Sequence, residues 1–439
     1  MSSATFIDLR VNNAEQFKES VSEPTPNTKL YMTIGRSMPW ANDLAPNVAN
    51  SSVATVYEVW DTMIGGKRIY GNDLSHVIPR IDWTANTIYT AYDHLNGSLH
   101  DTEFYVITDE YNVYKCIANN YTANSTVKPT SLSTTDVSYL SDGYAWKYMY
   151  TVSDSDLLRF TTTEYIPVKT LSADDGSLQW QVQDNATEGS IEYIHVTNGG
   201  SGYNNADNIS VTFSGDGSGL EGYATINSSS NLINAVVITN SGTGYHYATV
   251  TIADSGSAFG ANARAIISPQ GGHGSNPLYE LGGKSIIVNA RIRYDEDGIL
   301  PVTNDYRQIS LLKDPLDASG NTLSTPAFLQ SLLITTAGIG DFNQDETVYQ
   351  GTSISSASFS GKVVYWDSGN SNVVLINTQG VPSSELTLIG QDSFTVRSIS
   401  SITEGDLTEY SGRILYVDNF KPITRAPDQI ENFKLIVHF

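Results

Sequence analysis

The chain has 439 residues with 24 basic and 47 acidic side chains, a net charge of −23 at pH 7, and only 16% charged residues. A surface of that sign repels phosphate backbones and anionic bilayers, which argues against sequence-independent nucleic-acid binding and against adhesion to acidic membranes. It also keeps a chain soluble before assembly, or suits one to saline surroundings. Cys116 is the only cysteine, so no intrachain disulfide and no CxxC metal or redox site can form.

The 26 tyrosines and 35 glycines, with Ser, Thr and Asn supplying the polar balance, favour strands and turns over helices. At the start, Met1–Phe6 has neither the basic nor the apolar stretch of a signal peptide, and no apolar run reaches the ~20 residues that cross a bilayer. The expected setting is a cytoplasm, or a particle built in one. Asn13–Val21 reads as one or two helical turns. Phe104–Ile107 and Val113–Ile117 alternate like strands, and Cys116 within the second reads as a small core residue. Tyr144, Trp146, Tyr148 and Tyr150 follow at period two, which lines one face of a strand and leaves Ala145, Lys147 and Met149 to the other. Core or interface packing explains such a row better than a sugar platform. Asp154–Phe160 reads as a short helix, with Ser153 as its N-cap and Asp156 in the first turn.

An internal repeat occupies residues 190–268. Ile191–Tyr203, ending Asn198-Gly-Gly-Ser-Gly202-Tyr203, recurs as Ile233–Tyr245, ending Asn240-Ser-Gly-Thr-Gly244-Tyr245, an offset of 42 residues. Each copy continues into a second alternating strand (Ile209–Phe213, Thr249–Ile252) and, after a glycine-rich turn, a third (Tyr223–Ile226, Ala263–Ile267). Gly202 and Gly244 are expected to supply positive φ, with the tyrosine after each covering the hairpin. Further on, Ile286–Ile292, Gly361–Trp366, Val373–Ile376, Leu386–Ile389, Phe394–Arg397, Ile414–Val417 and Phe433–Val437 read as strands. Those between about 335 and 402 fit a small barrel.

Motifs for chemistry are weak. Leu281-Gly-Gly-Lys284-Ser285 resembles a phosphate loop, but Leu278 stands where its first glycine belongs and a strand follows instead of a helix. Asp341-Phe-Asn343-Gln-Asp345-Glu346 opens like an EF-hand loop, yet Glu346 replaces the turn glycine and Thr352 the closing carboxylate, so an exposed acidic turn is expected. Asp295-Glu-Asp-Gly298 reads the same way, as a charged hairpin turn. The seven histidines form no HExxH or HxH pair, there is no GxSxG elbow, and among 47 acids no spacing singles out a glycosidase pair. No catalytic, cofactor or metal residue is assigned.

Several stretches in one order resemble the gene product eight family of baseplate wedge subunits from T-even-type contractile-tail phages. They are Ile34-Gly-Arg36-Ser-Met-Pro-Trp40, Val59-Trp60-Asp-Thr-Met63, His76-Val-Ile-Pro-Arg80-Ile-Asp-Trp83 and Tyr114-Lys-Cys116. Asp142-Gly-Tyr-Ala-Trp146-Lys-Tyr148, Glu164–Ile166, Tyr306-Arg-Gln-Ile-Ser310 with Pro315-Leu316, Tyr410-Ser-Gly412 to Tyr416, and Pro422…Asp428-Gln429…Phe439 complete the series. The resemblance covers roughly 1–170, 284–318 and 405–439, leaving the two β modules between matching blocks as insertions.

This resemblance implies an all-β fold with a sandwich-type core, to which the residue pattern adds two inserted small β modules and few short helices. The expected divisions are 1–187, 269–332 and 405–439 for the core, 188–268 for the repeat module and 333–404 for the barrel-like one. It also implies a structural, non-catalytic role in the tail baseplate of a virion, as a homodimer touching other wedge proteins, without cofactor, nucleic acid or membrane. Arg36 beside Trp40, and Arg80 beside Trp83, suit guanidinium–indole stacking. These four and Trp146 are the expected contact residues, with buttressing of the monomer core as the competing role. A tail adhesin displaying a carbohydrate-binding face on the Gly-Tyr repeat is the alternative reading.

Overall fold

The computed structural model describes residues 6–24, 28–204, 209–253, 258–293, 305–424 and 429–439. The acidic turn expected at Asp295–Gly298, the extreme start Met1–Thr5, and Asp428 of the last matching stretch lie outside these. The fold is all-β and multi-sheet, with a few short helices. Two compact units divide it, one of residues 1–15, 75–287 and 436–439, the other of 16–74 and 288–435.

The first unit holds an antiparallel sheet in the order Tyr105–Ile107, Asn112–Asn119, Tyr144–Thr151, Ser138–Tyr139. Tyr144–Thr151 is buried along all but its last residue, so both faces of the sheet are covered. Tyr144, Trp146 and Tyr148 pack with Tyr89, Tyr114 and Cys116, while Met149 and Tyr150 join Val113 and Tyr105 in another cluster. Tyr150 therefore leaves the predicted aromatic row. Register shifts at Val113/Tyr114 and Cys116/Ala118 break the two-residue alternation that the row assumed. Asp154–Phe160 is helical, and the Ser153 hydroxyl accepts from the Asp156 N–H as predicted.

The repeat folds as two interlocked copies. The second strands, Val211–Gly215 and Ala248–Ile252, pair with each other. The first strand of each copy pairs with the third strand of the other: Ile191–Ser201 with Phe259–Ile267, and Leu232–Thr243 with Ser218–Asn227. Even the irregularities repeat, because the ladder skips Thr197 in one ribbon and Thr239 in the other. Gly202 and Gly244 take φ of 79° and 73°. Asn198 and Asn240 each accept from the N–H two residues on, at 2.9 and 3.0 Å. Tyr203 and Tyr245 sit in the core between the sheets, 0% and 5% exposed. That exchange of strands lets each half bury the face that it cannot cover alone.

In the second unit a five-stranded sheet runs Ala327–Leu329, Met63–Ile69, Leu30–Gly35, Asp305–Lys313, Arg413–Thr424. The helix Val53–Thr62 packs Val59 and Trp60 with Tyr31, Leu312 and Phe328 of the sheet. Its sequence is rich in β-branched residues, which are weak helix formers. The cap at Ser52, whose hydroxyl accepts from Thr55 N–H, and the burial of Val59 and Trp60 make it helical instead. Six strands between Leu332 and Thr403 close into a barrel around Ile334, Val348, Phe359, Val363, Leu375 and Leu388. The N-terminal helix runs Ile7–Ser22, longer than predicted, with Val11, Ala14 and Val21 buried.

Candidate interaction site

Gly35 closes its strand where a Cβ would stand 2.9 Å from the Thr62 carbonyl oxygen. Arg36 follows in the left-handed region at φ 56°, and this turn lays its guanidinium 3.6 Å from the centre of the Trp40 ring. Arg36 also ion-pairs with Glu58 of the capped helix. The Trp40 indole donates to the Phe420 carbonyl at 2.9 Å, and its backbone N–H to Asp43 at 2.7 Å. Arg307 grips Asp43 through two bonds of 3.0 Å and donates to the Ser37 carbonyl. Arg307, foremost, holds the Asp43 carboxyl below its usual range, whereas burial pushes the Asp345 carboxyl up. The predicted pair Arg36 and Trp40 is thus brought together, in a network with Glu58, Asp43 and Arg307. Those three partners come from sequence segments that local reading could not connect.

Trp60, Asp61 and Tyr410 line an adjoining groove of about 570 Å³ in the same unit. Tyr57 and Tyr410 meet edge-to-face at 5.3 Å, each about half exposed, and the Tyr410 hydroxyl donates to Asp61 at 2.8 Å. Four of the matching stretches therefore converge. Those around 34, 63, 308 and 414 fall at the end, the start, the middle and the start of four neighbouring strands, with Gly35 opposite Met63 and Gln308, and Leu312 opposite Ile414.

In the first unit Arg80 does not stack on Trp83. Its guanidinium chelates Asp82 at 2.9–3.0 Å, and the Trp83 indole donates to Ser125 at 3.1 Å. A carboxylate two residues away on the same extended backbone outcompetes an indole for the charge. Arg80, Asp82, Trp83, Tyr111 and Lys128 line an open groove of about 570 Å³. Trp146 has no exposed surface: Tyr144 stacks on it and Tyr89 meets it edge-on, both at 5.6 Å. It buttresses the core and is not a contact residue.

Sequence reasoning missed a buried charged cluster. Lys115 Nζ lies 2.8 Å from Glu280 Oε2, 3.0 Å from His273 Nδ1, and 4.2 Å above the Tyr92 ring, with the Lys115 and Glu280 side chains 1% and 3% exposed. Burial lowers the Lys115 ammonium pKa, and burial with two lysines nearby holds His273 neutral well below its ordinary range. Glu280 Oε1 accepts the Gly274 and Asn276 N–H groups. With its three neighbours taking the ammonium protons, Lys115 is a tie between the Pro277–Glu280 turn and the sheet, and no free nucleophile. Cys116 is fully buried and its thiol pKa is pushed up by that burial. Glu346 is likewise buried, not an exposed acid; it accepts from Asn343, Asp392 and Ser393 N–H and ties barrel loops together. Tyr203 and Tyr245, the tyrosines that end the two repeat motifs, are buried and present no ring face to a sugar. Among the described residues no three His, Cys, Asp or Glu side chains converge as a metal site, and no helix is long and apolar enough to cross a membrane.

The family model described as Bacteriophage T4, Gp8 matches residues 3–135. A curated relative, the baseplate wedge protein gp8 of Enterobacteria phage T4, is 25% identical over 220 residues, which cover 41% of this chain and 64% of the relative. The match thus spans less than two thirds of that relative's length.

Proposed function

We propose that this chain, whose residues 3–135 match the Bacteriophage T4 Gp8 family model, is a structural subunit of a phage tail baseplate wedge, acting through contact surfaces and not through chemistry. The observation that carries this reading is the convergence of four of the matching stretches on one sheet, beside which lies the groove lined by Trp60, Asp61 and Tyr410. Tyr57 and Tyr410, each about half exposed, are of the kind that protein interfaces enrich, whereas Trp40, 7% exposed, is buried within its own unit. The net charge of −23 supports partners that are proteins and not nucleic acid or membrane. In this reading the chain assembles in the host cytoplasm as a homodimer, each copy contacting other wedge proteins, while the repeat module and the barrel are insertions that extend the subunit.

Quantitative mass spectrometry of purified tails tests the role: the chain is expected at a fixed ratio to the other plate proteins, and its absence from tails sinks the proposal. Light scattering tests the dimer separately. A mass near twice 47.7 kDa is expected at micromolar concentration; a monomer there removes the homodimer and leaves the wedge role standing.

A further inference from the structure

The two ribbons of the repeat module are equivalent by sequence and pairing, yet their outer faces meet different surroundings. On the ribbon Ile191–Ser201/Phe259–Ile267, the outer pairs are Tyr193 opposite Ile266 and His195 opposite Arg264. That face is docked on the rest of its own unit. Arg264 grips Asp93 through bonds of 2.9 and 2.6 Å, Ile266 is 3% exposed in the neighbouring core, and Tyr139 donates to the Glu192 carbonyl at 2.6 Å. On the ribbon Ser218–Asn227/Leu232–Thr243, the equivalent pairs are Thr225 opposite Ala235 and Tyr223 opposite Val237. Here Thr225 and Ala235 are half-buried, while Tyr223 is 53% and Val237 37% exposed.

We infer that this second face, centred on Tyr223 and Val237, seats an uncharged apolar surface of a different protein in the assembled particle. The inference rests on the wedge reading above. Three observations carry it. Its twin already works as a protein-docking face, so the shape suits one. Where the twin bonds Asp93 through Arg264 and sets His195 against the Tyr121 ring, this face has Tyr223 and Val237, and Glu221 is the only charged residue in 218–243, in a chain of net charge −23; depletion of charge marks the core of an interface. Finally, two strands of about ten residues present roughly 300–400 Å², well under the ~800 Å² per partner that a stable complex buries. Such a face does not by itself hold two free copies together. It closes against a neighbour that larger contacts already hold in place.

The test places a photo-cross-linking benzoylphenylalanine at Tyr223 of the full chain, assembled into particles, with the same probe at Tyr121 as a control. Tyr121 is half exposed and 5.4 Å from His195 of its own chain, so an intrachain adduct there reports working photochemistry. The expected result is an adduct between position 223 and another tail protein. An adduct to a second copy of this chain, or none while the Tyr121 adduct forms, overturns the inference and leaves the wedge role intact. A chain that never enters particles sinks both. Independently, Tyr223→Asp with Val237→Asp is expected to cut particle yield at least ten-fold while the circular dichroism of the free chain stays unchanged. Equal yield contradicts the inference.

Discussion

Replacing Lys115 with Met removes the cation from a carboxylate that has no water to turn to. The Glu280 side chain is 3% exposed, and the 2.8 Å bond to Lys115 Nζ is what neutralises its Oε2. Breaking one partner of a buried ion pair costs about 3–5 kcal/mol. One feature pulls the figure toward the lower end: Oε1 keeps the Gly274 and Asn276 N–H groups. The buried His273 Nδ1 also loses its donor, which adds about 1 kcal/mol. Lys115→Met is therefore expected to destabilise the first unit by about 3–4 kcal/mol. Adding Glu280→Gln should restore part of it, leaving a deficit of about 1–2 kcal/mol, because a neutral amide no longer needs the cation. Urea unfolding followed by hydrogen exchange of the strand Asn112–Asn119 reads both. A loss under about 1 kcal/mol for the single variant, or a double variant no more stable than the single, would refute the argument that this pair ties the Pro277–Glu280 turn to the sheet.

Two further outcomes follow from the same physics. A Cβ at Gly200 would lie 2.7 Å from the Ala261 nitrogen, and one at Gly242 2.7 Å from the Ser218 carbonyl oxygen, both at positive φ; each Gly→Ala change is expected to destabilise the repeat module similarly, by about 1–3 kcal/mol. At Gly244, φ 73° with open space around it, the same change should cost only about 1 kcal/mol; in thermal unfolding, clearly unequal costs at Gly200 and Gly242 would contradict the twofold account, and a Gly244 cost equal to theirs would contradict the steric one. His273 stays neutral when folded, with its pKa well below 6.5, while the unfolded chain takes up that proton near 6.5. Stability is then fully present above about pH 6.5 and falls as the pH drops below it, by up to about 1.4 kcal/mol per unit for one proton. His94, His100 and His195 shift in the same direction, so the measurement is the difference from His273→Asn, whose denaturation midpoint should depend less steeply on pH between 6.5 and 5. Parallel profiles for the two proteins would count against it.

Strand alternation and the 42-residue repeat were legible because they are local or periodic, and so was the Ser153 cap, which needs only three residues. What escaped was set by distant partners. Val53–Thr62 carries a strand-like composition, and only the cap and the packing of Val59 and Trp60 on Tyr31 and Phe328 make it helical. Trp146 sits in a row that suits an exposed face as well as a core, and nothing near it in sequence announces that Tyr89 and Tyr144 enclose it. Arg80 and Trp83 were paired by adjacency alone, where the nearer Asp82 takes the guanidinium. Arg307–Asp43 and Lys115–Glu280 join residues 264 and 165 positions apart, and only the fold makes such partners neighbours.

The central claim is that this chain works by being held between other proteins in a tail baseplate. A cryo-electron microscopy map of the intact particle at side-chain resolution tests it most directly. The account predicts the chain within the wedges of the plate, with the Arg36–Trp40 edge or the Tyr57–Tyr410 groove covered by a neighbouring subunit. A map that puts the chain outside the tail, or inside the plate with both surfaces open to solvent, would contradict it.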